Sequence, residues 1–197
     1  MTENSGNVVW HGGHVSSEDR ESLLGQKALT IWLTGLSAAG KSTLAFALEK
    51  ALFAERRTCY VLDGDNIRHG LNKNLGFSNE DRTENIRRIA EVARLMNDAG
   101  MIVITAFISP FIVDREMARQ IIGQDCFREV FVSTALEVCE SRDPKGLYGK
   151  ARAGQVLEFT GISSPYEAPK DPDLVVDTDR VAVENAVFLL TKLISRK

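Results

Sequence analysis

Only three cysteines, Cys59, Cys126 and Cys139, occur in the 197 residues. Their odd number and wide spacing support neither a disulfide framework nor a zinc site, and such usage suits a reducing cytoplasm. Histidine is as scarce, and His11, His14 and His69 are too scattered for a metal centre. There is no excess of positive charge. Against 24 basic residues stand 27 acidic ones, a formal net charge of −3, so no global basic field can hold nucleic acid or an anionic membrane. The longest apolar stretch, Met101 to Val113, is broken by Thr105, Ser109 and Pro110 and is too short to cross a bilayer. The start, Met1-Thr2-Glu3-Asn4, lacks the basic-then-apolar pattern of a secretory leader.

What is present is the composition of an ordinary globular domain, 44% hydrophobic and 26% charged. Residues 1–15 read as a loose polar arm. Ser16 precedes Asp19 by three positions, a capping pattern, and a short helix to Leu24 should follow. Strands and helices then alternate. The spacing predicts strands over Ala28–Thr34, Cys59–Leu62, Met101–Phe107, Phe127–Val132 and Leu174–Val176. It predicts helices over Ser42–Ala54, with Leu44, Ala45, Leu48, Leu52 and Phe53 as the apolar face, over Asn79–Ala99, and over Val181–Ile194. Continuous apolar strands between helices imply a parallel sheet covered on both faces, an α/β fold. Four of the five prolines, Pro144, Pro165, Pro169 and Pro172, fall in Asp143–Pro172, which reads as a mobile lid. The chain is thus expected to be one domain over 1–197, with an arm and short helix over 1–26 and a lid over about 143–172.

Gly35-Leu36-Ser37-Ala38-Ala39-Gly40-Lys41-Ser42 fits the G-x-x-x-x-G-K-[ST] pattern, between an apolar strand and a helix. That context identifies a P-loop, and with it a P-loop NTPase fold. Its glycines let successive backbone N–H groups converge on phosphate, and the helix N-terminus adds positive potential. Lys41 can reach the β- and γ-phosphates of ATP, and the Ser42 hydroxyl can ligate Mg²⁺. No Asn-Lys-x-Asp motif for guanine follows. Asp63-Gly64-Asp65-Asn66 instead ends the second strand, where a small kinase holds its acceptor hydroxyl. A carboxylate there can orient that hydroxyl, take its proton, or hold a Mg²⁺-bound water.

From Asp63 through Ser78, and again in Arg82-Thr83-Glu84-Asn85-Ile86-Arg87-Arg88, the sequence resembles the adenylylsulfate kinases. The likeness continues in Ile108-Ser109-Pro110, Asp114-Arg115, Arg142-Asp143-Pro144-Lys145-Gly146-Leu147-Tyr148, Phe159-Thr160-Gly161-Ile162 and Pro165-Tyr166-Glu167-Ala168-Pro169. Asn7-Val8-Val9-Trp10-His11 extends it to the start. The resemblance implies phosphorylation of the 3′-hydroxyl of adenosine 5′-phosphosulfate by Mg-ATP, in sulfate assimilation, by a cytoplasmic homodimer that could contact a sulfate adenylyltransferase.

It also implies site roles. Arg68 and Arg82 offer planar forks to the phosphosulfate. Asn85, three residues from Arg82, hydrogen-bonds the substrate. Phe77 and Phe159 sandwich the adenine. Thr43 and Arg142 join the ATP contacts, with Arg142 near the adenine. Asp65, Ile108 and Leu147 line the acceptor site, and Lys145 neutralises charge during transfer. Ser109 is the place of a phosphorylated serine in descriptions of the family, yet transfer between two bound nucleotides needs no covalent intermediate, and Ser109 is read as lining the acceptor site. The sequence departs from relatives at Ala38-Ala39, where Gly-Ser is frequent, and at Asn74, Phe111, Ser133 and Ala135. A kinase for another small hydroxyl acceptor, and a nucleotide-binding regulatory subunit, are the rival readings.

Overall fold

A computed structural model describes residues 8, 9 and 11–195. Residues 1–7 and 10 of the expected arm over 1–15, and so Asn7 and Trp10 of the Asn7–His11 likeness, lie outside the described residues. The elements run α1 (Ser17–Leu24), β1 (Leu29–Thr34), α2 (Lys41–Ala54), β2 (Cys59–Asp63), α3 (Gly64–Arg68), α4 (Asn79–Asp98), β3 (Ile102–Ala106), α5 (Ile112–Ile122), β4 (Phe127–Val132), α6 (Leu136–Arg142), α7 (Leu147–Arg152), β5 (Leu174–Val176) and α8 (Val183–Ile194). All strand pairs are parallel, in the order β2-β3-β1-β4-β5.

The central strand β1 is wholly buried because both of its faces are covered. Its side chains alternate. Leu29, Ile31 and Leu33 enter the core that also takes Leu44, Leu48 and Leu52 of α2 and Leu190 of α8. Trp32 points the other way, into a core with Ile86, Ile89 and Ala93 of α4 and Ala118 of α5. β1 lies between β3 and β4, so the crossovers leave it in opposite directions, and the crevice at its C-terminal end is the place where such sheets bind ligands.

The capping expectation for α1 holds in full: Ser16 Oγ accepts from Asp19 N at 3.1 Å and Asp19 Oδ2 accepts from Ser16 N at 2.9 Å. Several boundaries move. α8 begins two residues later than expected, after a turn in which the backbone N–H groups of Arg180 and Val181 donate to Asp177 O. Phe53 does not share the buried face of α2. It follows Leu52 by one residue, about 100° round the helix, and is exposed. The short helices α3, α6 and α7 were not expected from the sequence, being too brief to show a period. The expected lid carries α7, and Tyr148, Ala151 and Phe159 anchor that stretch in the core.

Candidate nucleotide-binding site

A cavity of about 780 Å³ opens at the C-terminal ends of β1, β2 and β3. β1 passes directly into the phosphate loop and α2. Two glycines there are required by space as well as by φ. Gly35 has φ 152, and a Cβ on it would meet Val132 O at 2.4 Å; Gly40 has φ 98 against Thr178. Ala38 adopts φ 58 without being a glycine.

Lys41 is buried and folds back on its own loop, donating to Gly35 O at 2.9 Å and Leu36 O at 2.6 Å. Burial pushes its ammonium down to about 8, against the opposing pull of Cys139, Asp63 and Asp65. Triphosphate oxygens would add to that pull and keep it charged. Ser42 Oγ donates to Asp63 Oδ2 at 2.7 Å, while Asp63 Oδ1 accepts from Asp65 N at 3.0 Å and so caps α3. A hydroxyl beside a fixed carboxylate is an all-oxygen donor pair of the kind Mg²⁺ prefers, and these residues fit that ion. Among the described residues no cluster of three His, Cys, Asp or Glu side chains could hold a metal. The ion's remaining ligands would come from phosphates and water.

Across the cavity, Arg68 Nη1 donates to Leu75 O at 2.9 Å and Gly76 O at 3.0 Å, and its guanidinium lies 4.3 Å from the centroid of the Phe77 ring. Arg82 of α4 donates to Phe77 O at 2.9 Å, Glu158 O at 2.7 Å and Thr160 Oγ1 at 3.0 Å, which ties α4 to the segment around 158–160. Burial lowers the pKa of both arginines, which stay charged. Asn72 Nδ2 donates to Asn85 Oδ1 at 2.9 Å and orients that amide at the cavity wall. Lys145 reaches over the mouth to pair with Asp65. Arg142 Nη1 donates to Thr178 Oγ1 at 2.7 Å.

The structure therefore brings together Ser37, Ala38, Gly40, Lys41, Ser42, Thr43, Asp63, Asp65, Arg68, Phe77, Arg82, Asn85, Ile108, Ser109, Arg142 and Lys145 around one cavity. It does not bring Gly35, Leu36, Ala39, Leu147 or Phe159 to its wall. The expected Phe77–Phe159 sandwich is not formed. Phe77 is exposed under Arg68, whereas Phe159 is buried edge-on against Tyr148, with centroids 4.9 Å apart. An aromatic on a Pro- and Gly-rich segment finds the core when its neighbours supply one, and here Tyr148 and Ala151 do.

Thr178 was missed in the sequence. Its Oγ1 donates to Ala39 O at 2.8 Å and accepts from Arg142, joining the phosphate loop to the end of β5. Its position just after a strand, where the other strands also place site residues, was the available signal. Phe46 and Val183 also line the cavity, and nothing in their spacing marked them.

The family pattern described as Adenylylsulphate kinase matches residues 27–177. A probable adenylyl-sulfate kinase of Halalkalibacterium halodurans is 59% identical over 94% of this chain and 92% of its own. An adenylyl-sulfate kinase of Aeromonas salmonicida is 62% identical over 85% of this chain and 86% of its own. Among solved structures, the Mycobacterium tuberculosis APS kinase CysC in complex with AMPPNP and APS superposes with a TM-score of 0.83 at 47% identity, covering 87% of this chain and 99% of that one. A sugar kinase from Janibacter, 18% identical with a TM-score of 0.56 over 85% of this chain and 95% of its own, shares the fold alone.

Proposed function

The chain belongs to the adenylylsulfate kinase family, and from that premise we propose how its residues divide the work. The reaction is transfer of the γ-phosphoryl group of ATP to the 3′-hydroxyl of adenosine 5′-phosphosulfate, giving ADP and 3′-phosphoadenylyl sulfate. The observation that carries the division is the single cavity, which has the phosphate loop on one wall and Arg68, Phe77, Arg82 and Asn85 on the other. Two nucleotides can sit there together, donor phosphorus facing acceptor oxygen.

On the donor side the loop N–H groups and Lys41 hold the β- and γ-phosphates, and Arg142 lies by the adenine. Ser42 and Asp63 would hold Mg²⁺, which would neutralise charge on the phosphates. Asp63 has one oxygen on Ser42 and the other on the start of α3, which favours the metal side over a role as base. On the acceptor side Arg68 and Arg82 exchange their carbonyl partners for the phosphosulfate oxygens, Phe77 covers the base, and Asn85 and Ser109 position the ribose. The 3′-oxygen attacks phosphorus, the bond to the bridging β–γ oxygen breaks so that ADP leaves with that electron pair, and the hydroxyl proton passes to solvent as the new bond forms. Lys145 releases Asp65 and meets the developing charge. Transfer is read as direct, because donor and acceptor fit one cavity and in-line transfer between them needs no covalent intermediate.

The same reading extends to a cytoplasmic homodimer, which could contact a sulfate adenylyltransferase. No described helix is long and apolar enough to cross a membrane. An assay coupled to ADP release, run with ATP and a panel of nucleoside, sugar-acid and adenylyl sulfate acceptors, tests the function. Adenylyl sulfate should be used at least a hundredfold better than any other. Preference for a different acceptor would overturn the reading, and ATP binding without turnover of any acceptor would favour a regulatory subunit.

A further inference from the structure

Trp32 sits at the middle of β1 with no exposed surface. Its ring stacks on Phe107 and Phe127, with centroids 6.2 and 5.6 Å away. A buried indole N–H needs an acceptor. Here Nε1 donates to Ser109 Oγ at 3.2 Å. Ser109 is 3% exposed, yet it lines the cavity, and its φ of 39 places it in the left-handed region that serine seldom occupies.

The rest of Ser109 is also held from the core side. Its carbonyl accepts from Arg115 Nη1 at 2.7 Å and Thr34 Oγ1 at 3.3 Å. Arg115 is itself fixed by Glu129 at 2.6 Å and by Glu167 O at 2.7 Å. A hydroxyl has one proton to give and two lone pairs. With one lone pair taken by the indole, the proton of Ser109 finds no acceptor among the described residues and is free for a ligand.

We propose that Trp32 is a positioning residue for the acceptor nucleotide: its indole N–H fixes the Ser109 hydroxyl so that the O–H donates into the cavity. Ser109 is then a hydrogen-bond donor to the acceptor rather than a carrier of phosphoryl. The inference rests on the adenylyl sulfate reading above and assigns a role to a residue of the core.

Trp32→Phe keeps an aromatic ring in the stack and removes only the N–H. It should raise KM for adenylyl sulfate about three- to tenfold, with KM for ATP and kcat within about twofold. Ser109→Ala should do the same, and the double variant should be no worse than Ser109→Ala alone. Thr105→Val is the packing control. Thr105 faces Trp32 in register and its buried hydroxyl has no partner, so this change should leave the kinetics unaltered.

Additive losses in the double variant, or equal losses for both nucleotides, would reduce Trp32 to a packing residue and overturn the proposal. Because Trp32→Phe could lower yield, a second measurement uses the native core. With fluorotryptophan incorporated and Trp10 replaced by Phe, the Trp32 fluorine resonance should shift in Ser109→Ala and on adding adenylyl sulfate, but not with an ATP analogue alone. No shift in Ser109→Ala would sink the proposal. Failure of the unmodified protein to use adenylyl sulfate would instead sink the functional reading, so the two failures are distinct.

Discussion

Buried Lys41 and half-buried Tyr166 show how one desolvated group can serve chemistry and another serve only the fold. Lys41 is burdened by desolvation and held by two carbonyls of its own loop, a cost that makes sense only if an anion arrives. Lys41→Ala should lower kcat/KM roughly a hundred- to a thousandfold, about 3–4 kcal/mol of transition-state stabilisation, with the melting temperature little changed. Steady-state kinetics on the folded variant checks this. Tyr166 donates or accepts at Thr34 Oγ1, 2.9 Å away, and stacks on Phe131. Burial pushes its hydroxyl up to about 12. The folded state therefore keeps a proton that the unfolded chain loses from about pH 10. Its stabilising contribution is complete below pH 10 and is lost as the pH rises towards 12. Tyr166→Phe should cost about 1 kcal/mol at neutral pH and flatten the fall in stability over that alkaline window, as urea titrations at a series of pH values would show. Of the residues read from sequence as site residues, those bound to a motif with fixed geometry, Lys41, Ser42 and Asp63, came together as expected. Phe159 did not, because an aromatic side chain carries the same signature whether it meets a base or a core.

At the scale of elements, short helices decide where charged groups stand. α7 has no side-chain cap at Gly146, and Asp143 takes over by accepting from the backbone N–H groups of Leu147, Tyr148 and Gly149 at 2.8, 3.0 and 3.2 Å. Asp143→Ala should destabilise by about 1–2 kcal/mol and also lower kcat/KM, since Lys145 lies inside that turn. Thermal denaturation beside kinetics separates the two effects. α4 presents Arg82 and Asn85 from one face while Ile86 and Ile89 of the next enter the core. Arg82→Ala should raise KM for adenylyl sulfate by about thirtyfold or more and leave ATP binding within a few-fold, by calorimetry for each nucleotide. Equal loss for both would remove Arg82 from the acceptor wall. α2, α4 and α8 were legible because a buried face repeats at a period, and even then Phe53 was misplaced by one residue. α3, α6 and α7 were not legible, since two turns or fewer leave no period and their ends are set by contacts such as Asp63 and Asp143 that only the fold brings into place.

For the whole molecule, alternation of strand and helix told of a parallel sheet, but the order β2-β3-β1-β4-β5 rests on long-range pairing that no local pattern encodes. That order sets the phosphate loop beside Asp63 and Ser109, residues far apart in the chain, and gives two ligands one cavity. An unreactive ATP analogue and adenylyl sulfate, each at about a hundred times its Kd, should each add about 2.7 kcal/mol to unfolding free energy and more when combined, measurable by calorimetric melting. The cations of that cavity are never bare. Lys41, Arg68, Arg82 and Lys145 each grip an oxygen of the protein itself. Nucleotide capture is on this account a metathesis, one set of oxygens swapped for another, in which the count of hydrogen bonds hardly changes while neutral carbonyl partners give way to anionic ones. Release is the same swap run backwards, with the protein's own carbonyls and Asp65 as the returning partners, so product can depart without leaving those donors unpartnered.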